Sequence, residues 1–296
     1  MTPGAGRYAP SPSSDLHLGN LRTAVVAWLA ARADGLAFRL RVEDVDHRSR
    51  PAIAARQLAD LAALGLDWDG PVVWQSARGA AYRAAIADLA GRGLTYECFC
   101  SRREILDAPR APHAPVGAYP GTCRALSERA VAARRAERPG AIRLRADVAA
   151  WQVRDRLGGV TSQPVDDFVL RRSDGAVAYN LAVVVDDADQ RVTQITRGDD
   201  LLASAGRQSY LAHLLGLGTF EYVHVPLVYN RAGDRLSKRD GAMAGAALFD
   251  AWGGAAGVLG GIGHSLGLNP SGAPTTLEVL LERFDWTLLR PQRWTV

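Results

Sequence analysis

Lysine is almost absent from this chain of 296 residues. Of its 35 basic residues, 34 are arginine and one, Lys238, is lysine. Arginine suits planar bidentate pairing, whereas the ammonium group of lysine is a compact point charge suited to phosphate oxygens. Composition alone does not decide between a drift toward arginine and a functional lysine. The loop GDRLSKRDG, which contains Lys238, must therefore be interpreted together with the rest of the chain.

Cysteine is scarce, and long apolar segments are missing. Three cysteines cannot pair completely, which argues against a disulfide framework and for a reducing compartment that keeps them as thiols or metal ligands. The N-terminus MTPGAGRYAPS has no charged region followed by an apolar stretch, and no window reaches the apolar length that spans a bilayer. We expect a cytoplasmic protein without a membrane partner.

Size and charge indicate a globular protein. The length of 296 residues is enough for one large domain or two ordinary ones, and 48% of the residues are apolar and can build a core. The formal net charge of +4 is compatible with an anionic partner, but it also fits an ordinary soluble enzyme. Charge alone therefore does not establish nucleic-acid binding. As for the oligomeric state, we expect a monomer.

Short β-rich runs alternate with alanine-rich helical patterns at the start of the chain. The order is RYA, a helix over 18–33, AFRLRV and a helix over 52–64. This βαβ rhythm predicts an α/β fold with a parallel sheet. Apolar residues recur at steps of three and four in the first helix, so we expect one apolar face that packs on the sheet.

The middle of the chain predicts an insertion into this sheet. A helix over 77–92 precedes LTYECFC, after which Pro, Gly and Ala interrupt regular structure through residue 123. A helix over 126–138 and the strand candidates AIRLR, FVLRR and AVAYNLAVVVDD follow. The sheet then resumes with VTQITRG, a helix near 201–215 and HVPLVY. Four segments result: 1–97 and 176–240 as halves of the main domain, 98–175 as the insertion, and 241–296 as a short helical C-terminal region.

The segment RYAPSPSSDLHLGNLRTA leads from a short strand through a proline-rich turn into a helix that begins near His17. A helix start offers backbone N–H groups and a partial positive charge, and Gly19 lets a nucleotide approach the backbone. A lone histidine at this position most often only caps the helix. The PSPS turn, Gly19 and the distant RLSKR segment favour an anion site instead.

These motifs resemble the catalytic domain of class I aminoacyl-tRNA synthetases, in the glutamyl group. HLGN is similar to the family's HIGH motif and RLSKR to its KMSKS loop, and RVEDVD and YNLAVVVDD match further motifs of the group in the expected order. The resemblance covers roughly residues 5 to 240. It implies a Rossmann-type doubly wound parallel sheet with an ATP site at its topological switch point, and an inserted zinc-binding, acceptor-type subdomain.

The resemblance also implies a reaction. The α-carboxylate of L-glutamate attacks the α-phosphate of ATP, with Mg²⁺ present, to give glutamyl-adenylate and pyrophosphate. His17 and Lys238 would be the catalytic groups that stabilise negative charge. The ATP site would comprise His17, Gly19, Asn20 and Lys238. Asn20 replaces the family's second histidine and can still donate a hydrogen bond.

Glutamate presents two carboxylates and one ammonium group, and the motif correspondence implies matching partners. The expected glutamate-binding residues are Arg7, Tyr8, Ala9, Pro10, Ser11, Glu43, Tyr179 and Arg197. Glu43 would contact the ammonium group in preference to Asp44. Val183 and Leu201 replace an Asn and a Trp that full-length glutamyl-tRNA synthetases often have, which predicts a weaker hold on glutamate.

The cysteines predict a structural zinc site. Cys98 and Cys100 are separated by one residue, and Cys123 returns after the Pro/Gly-rich segment. Structural zinc takes four ligands in a tetrahedron. General ligand frequencies favour His113 as the fourth ligand, whereas the family pattern implies Tyr119, which we prefer. Ordinary thiols remain the alternative.

Only residues 241–296 follow the lysine loop, so we expect no anticodon-binding domain. This organisation resembles truncated members of the glutamyl group, which attach glutamate to queuosine in the anticodon loop of tRNA(Asp). The predicted partners are therefore ATP, L-glutamate and tRNA(Asp) bearing queuosine. One alternative is a ligase that charges a conventional tRNA acceptor end or a carrier protein. Another is a non-catalytic paralogue that binds RNA or senses glutamate.

Overall fold

The computed structural model of the protein describes residues 4–108, 118–230, 232–233, 235–236, 243–289 and 294–296. The strands in these ranges are β1 Ala5–Tyr8, β2 Ala37–Val42, β3 Val73–Trp74, β4 Thr95–Cys98, β5 Ala141–Leu144, β6 Ala150–Asp155, β7 Gly159–Pro164, β8 Val169–Arg171, β9 Val192–Gly198, β10 Glu221–Val225, β11 Val228–Tyr229 and β12 Trp294–Thr295. The α-helices are α1 Leu18–Ala33, α2 Pro51–Ala63, α3 Gly79–Gly91, α4 Arg102–Asp107, α5 Glu128–Glu137, α6 Tyr179–Asp189, α7 Leu202–Leu214, α8 Ala246–Ala251, α9 Ala255–Ser265 and α10 Leu277–Glu282.

The main sheet has the strand order β3-β2-β1-β9-β10-β6-β7. Neighbouring strands are parallel from β3 through β6, and β7 is antiparallel to β6. The chain runs outward from β1 in one direction through β2 and β3, then in the other through β9 and β10. This confirms the predicted Rossmann-type parallel sheet, with its topological switch point between β1 and β9.

Two apolar cores cover the two faces of this sheet. Val223 and Val225 of β10 belong to one core, together with α1 and the C-terminal helices. Tyr222, which precedes Val223 in the chain, belongs to the other core, with α3, α6 and α7. Because successive strand residues point to opposite faces, helices pack on both sides, as a doubly wound sheet requires.

Helix α1 confirms the predicted bounds but not the predicted single apolar face. Residues 24–31 are buried without interruption. The sheet covers one side of the helix, and α9 and α10 contact the helix as well. An alanine-rich helix enclosed by neighbours needs no polar stripe, which explains the difference.

The segment AVAYNLAVVVDD is not a strand, and the prediction was wrong there. Residues 179–189 form α6, and residues 181–187 are all buried. Helix α6 packs against α3 and α7 and against the sheet. A short apolar run does not distinguish a buried strand from a buried helix, and here tertiary packing overrides the β propensity of the valines.

The inserted region contributes to two sheets. Strands β4, β5 and β8 form a separate antiparallel sheet, whereas the hairpin β6–β7 extends the main sheet beside β10. The hairpin was not predicted. It lies close to α7, where a Cβ atom on Gly206 would come within 2.8 Å of the carbonyl oxygen of Gln163. The proposed boundaries of 98–175 thus enclose two strands of the main sheet.

The remaining predicted elements are present. AIRLR and FVLRR contain β5 and β8, the predicted helices over 126–138 and 201–215 correspond to α5 and α7, and the C-terminal region is helical. Within the described ranges, every helix is too short or too polar to span a bilayer.

Candidate active site and metal cluster

A cavity of about 460 Å³ opens at the carboxyl ends of β1, β2 and β9, beside the topological switch point. Its lining includes these predicted residues: Arg7, Tyr8, Ala9, Pro10, Ser11, His17, Gly19, Asn20, Glu43, Tyr179 and Arg197. The fold thus brings together the predicted ATP and glutamate residues that it describes. Lys238 lies outside the described residues.

His17 is the N-cap of α1. Its Nδ1 accepts hydrogen bonds from the backbone N–H groups of Gly19 and Asn20 at 3.1 and 3.4 Å, and the Asn20 side chain accepts from the His17 backbone at 3.2 Å. The N–H groups expected to bind an anion are therefore engaged by the cap. Because Nδ1 is an acceptor, the neutral imidazole carries its proton on Nε2 and can donate from that atom.

A side chain at Gly19 would crowd this histidine. A Cβ atom at Gly19 would lie 3.0 Å from Cε1 of His17 and 3.6 Å from Cγ2 of Val228. The absence of a side chain at Gly19 keeps the imidazole close to the helix start.

Arg7 is held in a buried ion-pair network. Its Nε donates to Oδ1 of Asp187 at 3.2 Å and its Nη1 to the carbonyl of Thr196 at 2.9 Å. Arg41 donates to the same carboxylate oxygen at 2.7 Å. Burial raises the pKa of Asp187, but the opposing effect of Arg41 and Arg7 is larger, so the net shift is downward. Asp187 is therefore ionised and orients Arg7 toward the cavity.

Glu43 is one of two acidic residues in the cavity lining; the other, Asp200, pairs with Arg235 at 2.8 Å. Its carboxylate lies 3.4 Å from Nη2 of Arg41, and 14% of the side chain is exposed. Burial raises the pKa of Glu43, against the lowering effect of Arg41 and Arg7. The neighbouring Asp44 instead accepts from the backbone N–H and the hydroxyl of Ser76, at 2.8 and 2.6 Å. The two acids thus have different partners, which agrees with the preference for Glu43.

Arg197 is fixed on three sides. It donates from Nη1 to Oε1 of Gln208 at 2.6 Å, from Nη2 to the carbonyl of Leu201 at 3.1 Å, and from Nε to Nε2 of His224 at 3.0 Å. Its guanidinium also lies over the ring of Tyr222, 4.9 Å from the centroid. These contacts orient a buried cation at the cavity wall.

Sequence reasoning missed the residues behind the cavity wall. Arg41 and Asp187 are fully or almost fully buried, and His224 was given no role. The available signal was charge inside apolar patterns: Arg41 within the strand AFRLRV, and the two aspartates that end the apolar run LAVVVDD. A buried charge requires a partner, so such positions indicate ion pairs. Leu201 lines the cavity, and Val183 is buried in the second core.

The three cysteines form one cluster. Their sulfur atoms lie within 4.8 Å of one another, and Cys100 and Cys123 are 3.5 Å apart. Tetrahedral zinc with sulfur ligands requires separations of about 3.8 Å, which this arrangement approaches. The predicted cluster of soft ligands is confirmed, and it can bind a metal.

Tyr119 completes the cluster. Its hydroxyl lies 3.3 Å from the sulfur of Cys98 and 3.7 Å from that of Cys100, and it accepts from the Cys123 backbone N–H at 2.8 Å. The guanidinium of Arg143 covers its ring, 3.7 Å from the centroid. The oxygen thus occupies a fourth position beside the sulfurs. The competing candidate, His113, lies outside the described residues.

Residues 5–274 match the family model of the class I tRNA synthetase catalytic domain of the E and Q type. The chain is 59% identical over 292 residues to a Nocardia farcinica protein named glutamyl-Q tRNA(Asp) synthetase, with 98% of this chain and 92% of that protein covered. A Cutibacterium acnes protein of the same name is 51% identical over 251 residues, which cover 83% of this chain and 71% of that one.

Solved structures agree on the fold. A glutamate tRNA ligase from Elizabethkingia meningosepticum, in complex with its amino acid, superposes with a TM-score of 0.82 at 24% identity, covering all of this chain and 67% of that one. Glutamate-tRNA synthetase from Elizabethkingia anophelis gives 0.83 at 24% identity, covering 99% and 68%. The chain belongs to the class I tRNA synthetases of the glutamate and glutamine group, a family of ligases.

Proposed function

We propose that the protein activates L-glutamate with ATP and transfers it to queuosine in the anticodon loop of tRNA(Asp). The observation that carries this proposal is the charge pattern of the cavity, where the buried guanidinium groups of Arg7 and Arg197 and the carboxylate of Glu43 line the same space. The other two charged residues of the lining, Asp200 and Arg235, pair with each other at 2.8 Å. Glutamate has the complementary set of two carboxylates and one ammonium group. The names of the two relatives supply the acceptor.

Glutamate would be bound through Arg7, Arg197 and Glu43. Each guanidinium is already anchored by protein acceptors, so little side-chain entropy is lost when it pairs with a substrate carboxylate. Glu43 would receive the ammonium group. Tyr179, the first residue of α6, has 38% of its surface exposed at the cavity and would cover the substrate.

Activation would take place beside the start of α1. A carboxylate oxygen of glutamate attacks the α-phosphorus of ATP, the bond to the bridging oxygen breaks, and pyrophosphate leaves. His17 would donate from Nε2 to the phosphate, and Lys238 would neutralise the departing pyrophosphate. Gly19 and Asn20 would adjoin the nucleotide. Mg²⁺, bound with ATP, supplies further neutralisation of phosphate charge.

Transfer would then use the modified base as nucleophile. A hydroxyl of the queuosine cyclopentene ring attacks the glutamyl carbonyl carbon, AMP leaves with the electron pair of the broken C–O bond, the hydroxyl proton is released to solvent, and an ester forms. Anticodon-loop bases can be unstacked and recognised in a protein cavity. We expect a cytoplasmic monomer for this task. Residues 98–175 would be an insertion whose β6–β7 hairpin joins the sheet of the main domain, and 241–296 a short C-terminal region.

We also propose that Cys98, Cys100, Cys123 and Tyr119 bind one structural zinc ion. The residues present fit this ion, because three sulfur atoms and one accepting oxygen adjoin. Zinc would cross-link β4 to the segment around residue 119, a region with few apolar residues of its own.

The test is incubation with ATP, labelled glutamate and tRNA(Asp) that contains or lacks queuosine. We expect label only on the queuosine-containing tRNA and within its anticodon fragment after nuclease cleavage. His17→Asn is the matched variant, because asparagine also caps helices but lacks the Nε2 donor; we expect at least about tenfold slower pyrophosphate exchange. Label at the 3′ end, or on queuosine-free tRNA alone, would refute the proposed acceptor, and absence of pyrophosphate exchange would refute activation.

A further inference from the structure

A buried chain of three side chains runs behind the cavity wall. Arg197 of β9, His224 of β10 and Asp155 of β6 lie on three adjacent strands, and Arg197 and His224 are directly paired in the strand register. Nε of Arg197 lies 3.0 Å from Nε2 of His224, and Nδ1 of His224 lies 2.5 Å from Oδ2 of Asp155. All three residues are at most 7% exposed.

The hydrogen bonds in this chain have one consistent direction. Nε of arginine only donates, so Nε2 of His224 must accept. The proton of the neutral imidazole is then on Nδ1, which donates to Asp155. Asp155 is held in turn by the backbone N–H groups of Leu157 and Gly158, at 2.9 and 2.7 Å from Oδ1. Arg197 is thus linked through His224 and Asp155 to the loop of the inserted hairpin.

Among the residues that the structure describes, these contacts leave two N–H groups of Arg197 for a ligand. Of the five donors of a guanidinium, Nε is bonded to His224, one on Nη1 to Gln208 and one on Nη2 to Leu201. One N–H on each Nη remains, which is the number that a carboxylate takes in a bidentate pair. The orientation of the guanidinium plane therefore decides how well a substrate carboxylate binds.

We propose that His224, held by Asp155, is a positioning residue that orients Arg197 for the carboxylate of the amino-acid substrate. The inference rests on the proposed glutamate site and extends it to residues behind the cavity wall. The charge balance supports a neutral imidazole, because a proton on Nε2 would face the Arg197 cation. Burial lowers the pKa of His224 and Arg197 lowers it further, while Asp155 and the more distant Asp199 raise it. The ring of Tyr222 stacks on the imidazole of His224, with 5.5 Å between the ring centroids.

The experiment compares His224→Ala with His224→Gln in ATP–pyrophosphate exchange, with KM measured separately for glutamate and ATP. Alanine removes the acceptor for Arg197, so we expect KM for glutamate to rise by about tenfold or more, with KM for ATP unchanged. Glutamine places an acceptor near the position of Nε2, so we expect it to restore most of the glutamate affinity. Asp155→Asn, which weakens the hold on His224, should give an intermediate increase.

Equilibrium binding of glutamate and thermal unfolding are measured on the same variants. His264→Ala, an exposed histidine of α9, is the matched control and should behave like the parent. Equal changes in both KM values, or equal defects in the alanine and glutamine variants, would indicate a merely structural role and overturn the inference alone. If the parent neither binds glutamate nor catalyses exchange, the proposed function fails and the inference fails with it.

Discussion

His17 shows how one residue can satisfy a structural and a functional interpretation together. A helix-capping histidine is the ordinary outcome for this position, and the cap is present. The cap uses Nδ1, and this determines that the neutral ring carries its proton on Nε2. Capping therefore prepares the imidazole as a hydrogen-bond donor in the cavity, and the two interpretations support each other.

Lys238 can be tested by its closest substitute. Lys238→Arg keeps the charge but replaces a compact ammonium group with a planar fork. We expect kcat for pyrophosphate exchange to fall by about tenfold or more, because charge must meet the departing pyrophosphate at a defined point. Glutamate binding, measured by calorimetry without ATP, should be unchanged. Normal exchange in this variant would mean that the solitary lysine has no special role.

Residues that belong to a motif could be predicted individually, but their partners could not. Arg7 and Arg197 were identified from sequence motifs, and both line the cavity. His224 is 27 positions from Arg197, and Asp187 is 180 positions from Arg7. A single sequence does not reveal such pairings, because they depend on strand order and register rather than on local patterns.

Among the secondary-structure elements, α6 differs most from its prediction. Its valines favour a strand, but the helix places Asp186 and Asp187 at one buried end. Asp186 accepts from Gln75, Arg78 and Tyr82, at 2.9, 3.0 and 2.8 Å. These ion pairs and hydrogen bonds connect α6 to α3 and to the segment before it. The apolar run predicted burial correctly. The two aspartates that follow it were the available signal that ion pairs hold this segment in place.

Asp187→Asn tests the buried end of α6. It leaves Arg7 and Arg41 without their shared anion, so we expect the free energy of unfolding to fall by about 3–5 kcal/mol in urea. The lowered pKa of Asp187 means that its stabilisation is complete above the ordinary value near 3.8 and is lost as pH falls through the lower, folded-state value. The difference from the parent should therefore be constant between about pH 5 and pH 8.

Asp189→Asn is the control for this element. Asp189 is on the same helix and pairs with Arg78, but 54% of its side chain is exposed. An exposed pair contributes at most about 1 kcal/mol, so this variant should stay near the parent. Equal losses of unfolding free energy in both variants would argue that α6 is sensitive to any change of charge. If the difference between Asp187→Asn and the parent vanished at pH 6, the lowered pKa of Asp187 would be contradicted.

At the scale of the whole molecule, the inserted region is integrated into the catalytic domain. Its hairpin extends the main sheet and supplies Asp155. Asp166, which follows the hairpin, accepts from the backbone of Tyr119 at 2.9 Å and from Arg207 of α7 at 2.6 Å. Two hydrogen bonds of Asp166 thus link the cluster of three cysteines and Tyr119 to α7, a helix that packs on the main sheet. The sequence predicted an insertion at this point, but the βαβ pattern contains no information about which sheet edge its strands would join.

This integration predicts that metal removal destabilises the molecule as a unit. Chelation of the zinc-loaded protein should lower the calorimetric unfolding midpoint by about 5 °C or more while the transition stays single. The reason is that Asp166 bonds both to Tyr119 of the cluster and to Arg207 of α7, which packs on the main sheet. Added zinc should restore the unfolding midpoint of the parent but not that of Cys98→Ser, which lacks one sulfur ligand. Two resolved transitions, with the upper one unmoved by chelation, would show instead that the metal stabilises only its own loop. An unchanged midpoint with zinc demonstrably removed would mean that the four clustered side chains hold the region together without a metal.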